Sequence, residues 1–127
     1  MPVAALDGMI SPDMYFKDPI NELHGRDAFK RYVLETIERV ERPRMEVLDV
    51  GWVTPRHCFV KWTFSGEIRS LSETPWSVPG VSEIKLAPNG LVQSQVDYWD
   101  LAGGLYEKAS LIGWIFRGLR RRLQLRQ

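Results

Sequence analysis

Apolar residues recur along this chain at two different periods, and the period changes at Pro43. Between residues 26 and 41, Ala28, Phe29, Tyr32, Val33, Ile37 and Val40 return at three- and four-residue steps. That spacing predicts an amphipathic helix with one stripe turned to a core. Its polar side sets Asp27 before Arg31 and Glu35 before Arg39 at i, i+4, the acid-first order that supports a helix by about 0.2–0.5 kcal/mol per pair. Beyond Pro43 the period is two. Met45, Val47 and Asp49 alternate with Glu46, Leu48, Val50 and Trp52; after a Thr54-Pro55-Arg56 turn, Cys58, Val60, Trp62 and Phe64 alternate with Phe59, Lys61, Thr63 and Ser65. Both runs predict strands. A Pro- and Ser-containing stretch over 70–80 is expected to separate them from a strand over 81–86. Pro88-Asn89-Gly90 then predicts a two-residue hairpin turn, since Asn and Gly tolerate positive φ.

The last predicted strand, 91–99, places Leu91, Gln93, Gln95, Asp97 and Trp99 on one face and Val92, Ser94, Val96 and Tyr98 on the other. Ahead of the helix, a short apolar start over 3–10 reaches the turn cluster Ser11-Pro12-Asp13 and a brief strand over 14–17, ended by Asp18-Pro19. At the far end, a helical start is expected over 103–109 and a further helix over 111–123. The order is short helix, strand, helix, four antiparallel strands, helix. Runs of strands with segregated helices point to an α+β fold.

Composition fits one soluble globular domain: 127 residues, 44% hydrophobic and 26% charged. A single cysteine, Cys58, excludes an internal disulfide, and with only His24 and His57 beside it there is no zinc-spaced cluster. No metal or cofactor is expected. The apolar runs are too short to span a bilayer. The start, MPVAALDGMISPD, lacks the basic and long apolar regions of a signal peptide, so the expected location is cytoplasmic.

The formal charge of +1 conceals a division. Residues 1–100 carry 11 basic and 15 acidic side chains, residues 101–127 carry 6 and 1. The basic end includes Arg117, Arg120, Arg121, Arg122 and Arg126, and on a helical wheel Leu111, Ile112, Trp114, Ile115, Phe116, Leu119 and Leu123 cover a broad apolar arc, with Arg117, Arg120 and Arg121 opposite. Such a helix fits either a cover over the chain's own body or an anionic membrane surface reached through 111–123. Three adjacent arginines without a binding motif are a weak footprint for nucleic acid, which is not expected as a partner.

The polar face of the last strand holds the candidate chemistry. Gln95 and Asp97 point either into solvent or into a cavity; in a cavity the carboxylate would lose hydration and its pKa would rise toward acid–base use. The structural alternative is an Asp97 that sits exposed or pairs with a Lys or Arg across the sheet. Asp18 before Pro19 is either a turn element or a pocket group. Tyr15 and Lys17 alternate with Phe16 and Asp18, so only one of these sets can face inward.

Taken in order, Met14-Tyr15-Phe16-Lys17-Asp18-Pro19, Gly25-Arg26-Asp27-Ala28-Phe29, Gly80-Val81-Ser82, Pro88-Asn89-Gly90-Leu91-Val92 and Val96-Asp97-Tyr98-Trp99-Asp100 resemble the nuclear transport factor 2-like superfamily. The chain is most similar to its polyketide-cyclase-like (SnoaL-like) branch and to limonene-1,2-epoxide hydrolase, over residues 10–105. The resemblance implies a cystatin-like cone, a curved antiparallel sheet packed on helices around a ligand pocket. A homodimer through the outer sheet face is also implied. The domain would cover 1–109, with 110–127 as an extra amphipathic helix.

Residue by residue, Asp18 matches the proton-shuttling Asp of ketosteroid isomerase, an enzyme that is itself a standard example of pKa tuning. Ser82 stands where that enzyme has its oxyanion-hole Asp, and the Tyr that completes the hole belongs to a long N-terminal helix that is shortened here. Asp97 and Tyr15 match an Asp and the Tyr of the epoxide hydrolase, whereas Lys61, Thr63 and Lys17 replace its Arg, second Asp and Asn, and Lys lacks the bidentate fork of Arg. The Asp97–Lys61 pair that the resemblance implies is a functional dyad on one reading and a structural cross-strand pair on the other. The expected site is therefore Asp97 and Asp18 as acid–base residues, with Tyr15, Lys61, Thr63, Gln95 and Trp99 binding. The implied ligand is a hydrophobic small molecule of lipid, steroid or polyketide kind. The implied activity is that of a metal-free isomerase, cyclase or hydrolase; the alternatives are a non-catalytic dimerisation or partner-binding module and a peripheral membrane protein. With fewer than fifteen residues ahead of the first strand, either the start lies upstream or something else closes the cone.

Overall fold

The structure is a computed structural model that describes residues 3–68 and 74–100. A short 3-10 segment, Val3–Gly8, leads into strand β1 (Ile10–Lys17), a short strand β2 (Glu22–His24) and helix α1 (Arg26–Arg39). Four long strands follow: β3 (Val40–Thr54), β4 (His57–Ile68), β5 (Thr74–Leu86) and β6 (Val92–Trp99). They form one curved sheet in the order β2-β1-β6-β5-β4-β3. Every pairing is antiparallel except β1 with β6, which is parallel. The α+β cone expected from the sequence is the fold observed, with a mixed sheet in place of a purely antiparallel one.

Three local features depart from the sequence pattern, each for a physical reason. β3 begins at Val40, ahead of the helix-ending Pro43, because the ladder jumps from Glu41 to Arg44 and leaves residues 42–43 in a bulge. Arg42 takes φ 50° there and pairs with Glu67, and Pro43 is spared from donating to the ladder. β5 begins at Thr74, running through Pro75 and Pro79, where the composition suggested a separating loop. β6 accompanies β5 only from Gly80 onward, so among the described residues both prolines are flanked by a strand on one side only and a missing N–H is tolerated. The 88–90 turn holds three residues: Ala87 N–H donates to the Leu91 carbonyl at 2.8 Å, and Gly90 alone takes positive φ, at 86°. This is the three-residue hairpin whose last position must be left-handed.

α1 packs against β1 on the inner face of the sheet. Phe16 stacks on Phe29 and Tyr32 with ring centroids 5.1 and 4.9 Å apart, and Leu6, Ile10 and Met14 complete this core. The expected helices over 103–109 and 111–123, and with them the proposed 110–127 unit, lie outside the described residues.

Candidate functional site

The inner face is fixed by register. Asp97 of β6 lies opposite Ser82 of β5, and Ser82 lies opposite Val60 of β4. One row further on, Trp99, Gly80, Trp62 and Val47 are aligned across four strands. The parallel register of Lys17 with Val96 brings Asp18, the residue after β1, level with Asp97. Two acids far apart in sequence thus meet on the face that α1 covers.

Their surroundings differ. Asp18 is buried, 5% exposed, and every group bonded to its carboxylate donates. The backbone N–H groups of Ile20 and Asn21 reach Oδ1 at 2.8 and 2.6 Å, the Asn21 amide approaches both oxygens, and the Tyr32 hydroxyl donates to Oδ2 at 2.9 Å. This is an Asx-type turn closed by a helix tyrosine. Burial, then the Asp18 charge and hydrogen bond, then the charge of Asp97, hold the Tyr32 hydroxyl well above its ordinary pKa, so it stays a donor.

Asp97 is held on one side only. The Ser82 hydroxyl donates to its Oδ1 at 2.6 Å and the Gln95 amide at 3.0 Å, while among the described residues Oδ2 accepts nothing. Burial pushes the Asp97 carboxyl up from the ordinary aspartate value, opposed by those two donors and reinforced by the nearby Asp18 charge. Ser82 is itself oriented: the Trp62 indole N–H donates to its oxygen at 2.8 Å, so the hydroxyl hydrogen is committed to Asp97. Trp62 can lie there because residue 80 is glycine, since a Cβ at that position would overlap the indole ring. The result is a relay from buried Trp62 and Ser82 to half-buried Asp97, ending on an oxygen with no protein partner among the described residues.

The expected site residues divide accordingly. Asp97, Gln95 and Asp18 come together on the inner face, and Trp99 lies on that face one row from Asp97. Tyr15 points away, donating to Glu22 at 3.1 Å and lying against His24. Lys61 and Thr63 alternate with the inward Trp62 and so lie on the opposite face, Lys61 exposed. The Lys61–Asp97 pairing is absent because strand alternation separates the two side chains, and the choice between Asp18 and Tyr15/Lys17 falls to Asp18. Ser82, Trp62 and Tyr32 are the site residues that the sequence pattern does not single out as candidates for chemistry. The available signal was Ser82, a hydroxyl at the same alternation as Val78 and Ile84, directly opposite Asp97. Among the described residues no group of three His, Cys, Asp or Glu side chains gathers as a metal would require.

A curved mixed sheet wrapped on a helix, with desolvated acids on its inner face, defines a protein of the nuclear transport factor 2-like cone class. Within that class the chain belongs to the SnoaL-like domain family, whose model matches residues 2–95. No curated protein matches it. Among solved structures it is similar to a ketosteroid isomerase-like hypothetical protein from Catenulispora acidiphila DSM 44928 in complex with trimethylamine, at 18% identity and TM-score 0.72, covering 84% of this chain and 82% of that one. TsrD from Streptomyces laurentii gives 20% identity and TM-score 0.72, with 84% and 81% covered. SalBIII, an epoxide hydrolase/cyclase-like enzyme of pyran ring formation in polyether salinomycin, gives 17% identity and TM-score 0.70, with 79% of each chain covered. At these identities the likeness concerns the fold.

Proposed function

We propose that this chain binds a largely apolar small molecule on the inner face of its cone and moves a proton on it through Asp97. The observation that carries this reading is the one-sided seating of Asp97: Oδ1 anchored by Ser82 and Gln95, Oδ2 without a protein partner among the described residues. A desolvated carboxyl with one committed and one open oxygen accepts a proton on the open atom and returns it elsewhere on the same ligand, which is the requirement of an isomerase or cyclase. Asp18 and Tyr32 serve as a fixed polar wall, each satisfying the other. Membership of a family with a polyketide-cyclase branch supports the ligand class, an uncharged polyketide-, lipid- or steroid-like molecule.

The test is native mass spectrometry of the full chain made in its own host, followed by turnover of whatever molecule travels with it. Wild type and Asp97→Asn should carry the same molecule, because the amide keeps the shape and accepts both hydrogen bonds. Asp97→Asn should convert it about 10²–10⁴-fold more slowly, the usual contribution of a positioned acid–base group. Absence of any bound molecule, or undiminished turnover in the variant, contradicts the proposal.

A further inference from the structure

β3 presents an apolar strip that the described elements leave uncovered. Met45, Val47, Leu48, Val50, Trp52 and Val53 are 46–62% exposed, a dense run for one strand. Four of them share the inner face: Met45 lies opposite Phe64, Val47 opposite Trp62, Val50 opposite Val60 and Trp52 opposite Cys58. α1 covers the same face near β1, where Phe29 and Tyr32 pack on Phe16. The strip is thus the uncovered half of the surface that carries Asp97.

Chain geometry names an occupant. β6 ends at Trp99, in the row Trp99, Gly80, Trp62, Val47, and that row leads straight to the strip. Three strand spacings separate Trp99 from Val47, about 14 Å at about 4.8 Å each. Residues 100–110 can reach up to roughly 36 Å when extended, more than the distance residue 111 would need to reach β3. From there, residues 111–123 would extend about 20 Å as a helix; Met45 to Trp52, seven steps apart, span roughly 23 Å of strand. The segment is long enough to cover most of the strip. Polarity is compatible: the segment's apolar arc is centred on Ile115 and Leu119, Arg117, Arg120 and Arg121 fall outside it, and Arg122 alone of the four lies within the arc, near the segment's C-terminal end. Residues 1–100 hold 15 acids against 11 bases, so a basic segment is drawn to its own body.

We infer that residues 111–123 dock their apolar arc on the inner face of β3, leaving Arg117, Arg120 and Arg121 in solvent. This placement is independent of the role assigned to Asp97.

The chain's methionines provide the test without added probes. Peroxide oxidation followed by peptide mass spectrometry compares the full wild-type chain with Ile115→Asp/Leu119→Asp. Met45 reports the strip, Met9 is an exposed reference at 49%, and Met14 is a fold reference at 1%. Expected is Met45 oxidation at least tenfold slower than Met9 in wild type, equal to Met9 in the variant, and the same at low and high protein concentration, with Met14 protected throughout. Equal Met45 rates in the two chains overturn the inference. So does Met45 protection that disappears on dilution, which would assign the strip to a second copy. Should Met14 lose protection in the variant, the single change Leu119→Ser in the same assay decides between these outcomes.

Discussion

At the scale of single residues, the site depends on which hydrogen bonds are committed. Tyr32→Phe removes one of the donors to buried Asp18 and is expected to lower stability by about 1–3 kcal/mol, measured by urea unfolding. Asp97 behaves in the opposite sense. Its carboxyl is raised by burial, so the folded state favours the protonated form. That contribution is fully present below the unfolded pKa and is lost as pH rises through the folded one, because there the native state binds more protons than the unfolded chain. Asp97→Asn should therefore match wild type near pH 4 and equal or exceed it at pH 7; a variant less stable at pH 7 than at pH 4, relative to wild type, would refute the assignment of burial as the dominant cause. Of these residues, Asp97 and Gln95 were legible in the sequence, since period-two alternation placed both on one polar face. Tyr32 was legible only as a core position of the helix, because its hydroxyl acts through a contact with Asp18 that no local pattern contains.

At the scale of elements, the misreadings come from partners that are distant in sequence. Proline content over 70–80 looks like a loop in isolation; from Thr74 onward it is a strand, tolerated because β6 ends at Trp99, opposite Gly80, and leaves Pro75 and Pro79 without a neighbour on that side among the described residues. The parallel pairing of β1 with β6 aligns Asp18 with Asp97, yet it joins residues about eighty positions apart, beyond the reach of periodicity. Lys61 was paired with Asp97 by resemblance alone, and strand alternation, which was legible, had already placed it beside inward Trp62. The pairing of Trp62 in β4 with Gly80 in β5 yields a prediction at this scale. Gly80→Ala introduces a methyl where the Trp62 indole lies and is expected to cost about 1–3 kcal/mol in thermal or urea unfolding. It should also release Ser82, seen as loss of the protected Trp62 indole N–H signal in proton NMR. An unchanged indole resonance would show that Gly80 is not what seats the ring.

At the scale of the whole molecule, the fold, the class and the family were accessible from ordered motifs, each weak alone. The charge division between residues 1–100 and 101–127 becomes a statement about assembly once β3 is seen to carry an uncovered apolar strip on the Asp97 side. No described helix is long and apolar enough to cross a membrane. The inner face desolvates one carboxyl while leaving one of its oxygens without a partner among the described residues. Titration of the Asp97 side-chain carboxyl carbon by 13C NMR in the full chain addresses it directly. The predicted midpoint lies above the ordinary aspartate value of about 3.9, moving higher in Ser82→Ala, where a donor to Oδ1 is lost. A midpoint at or below the ordinary value, unmoved by Ser82→Ala, would contradict it.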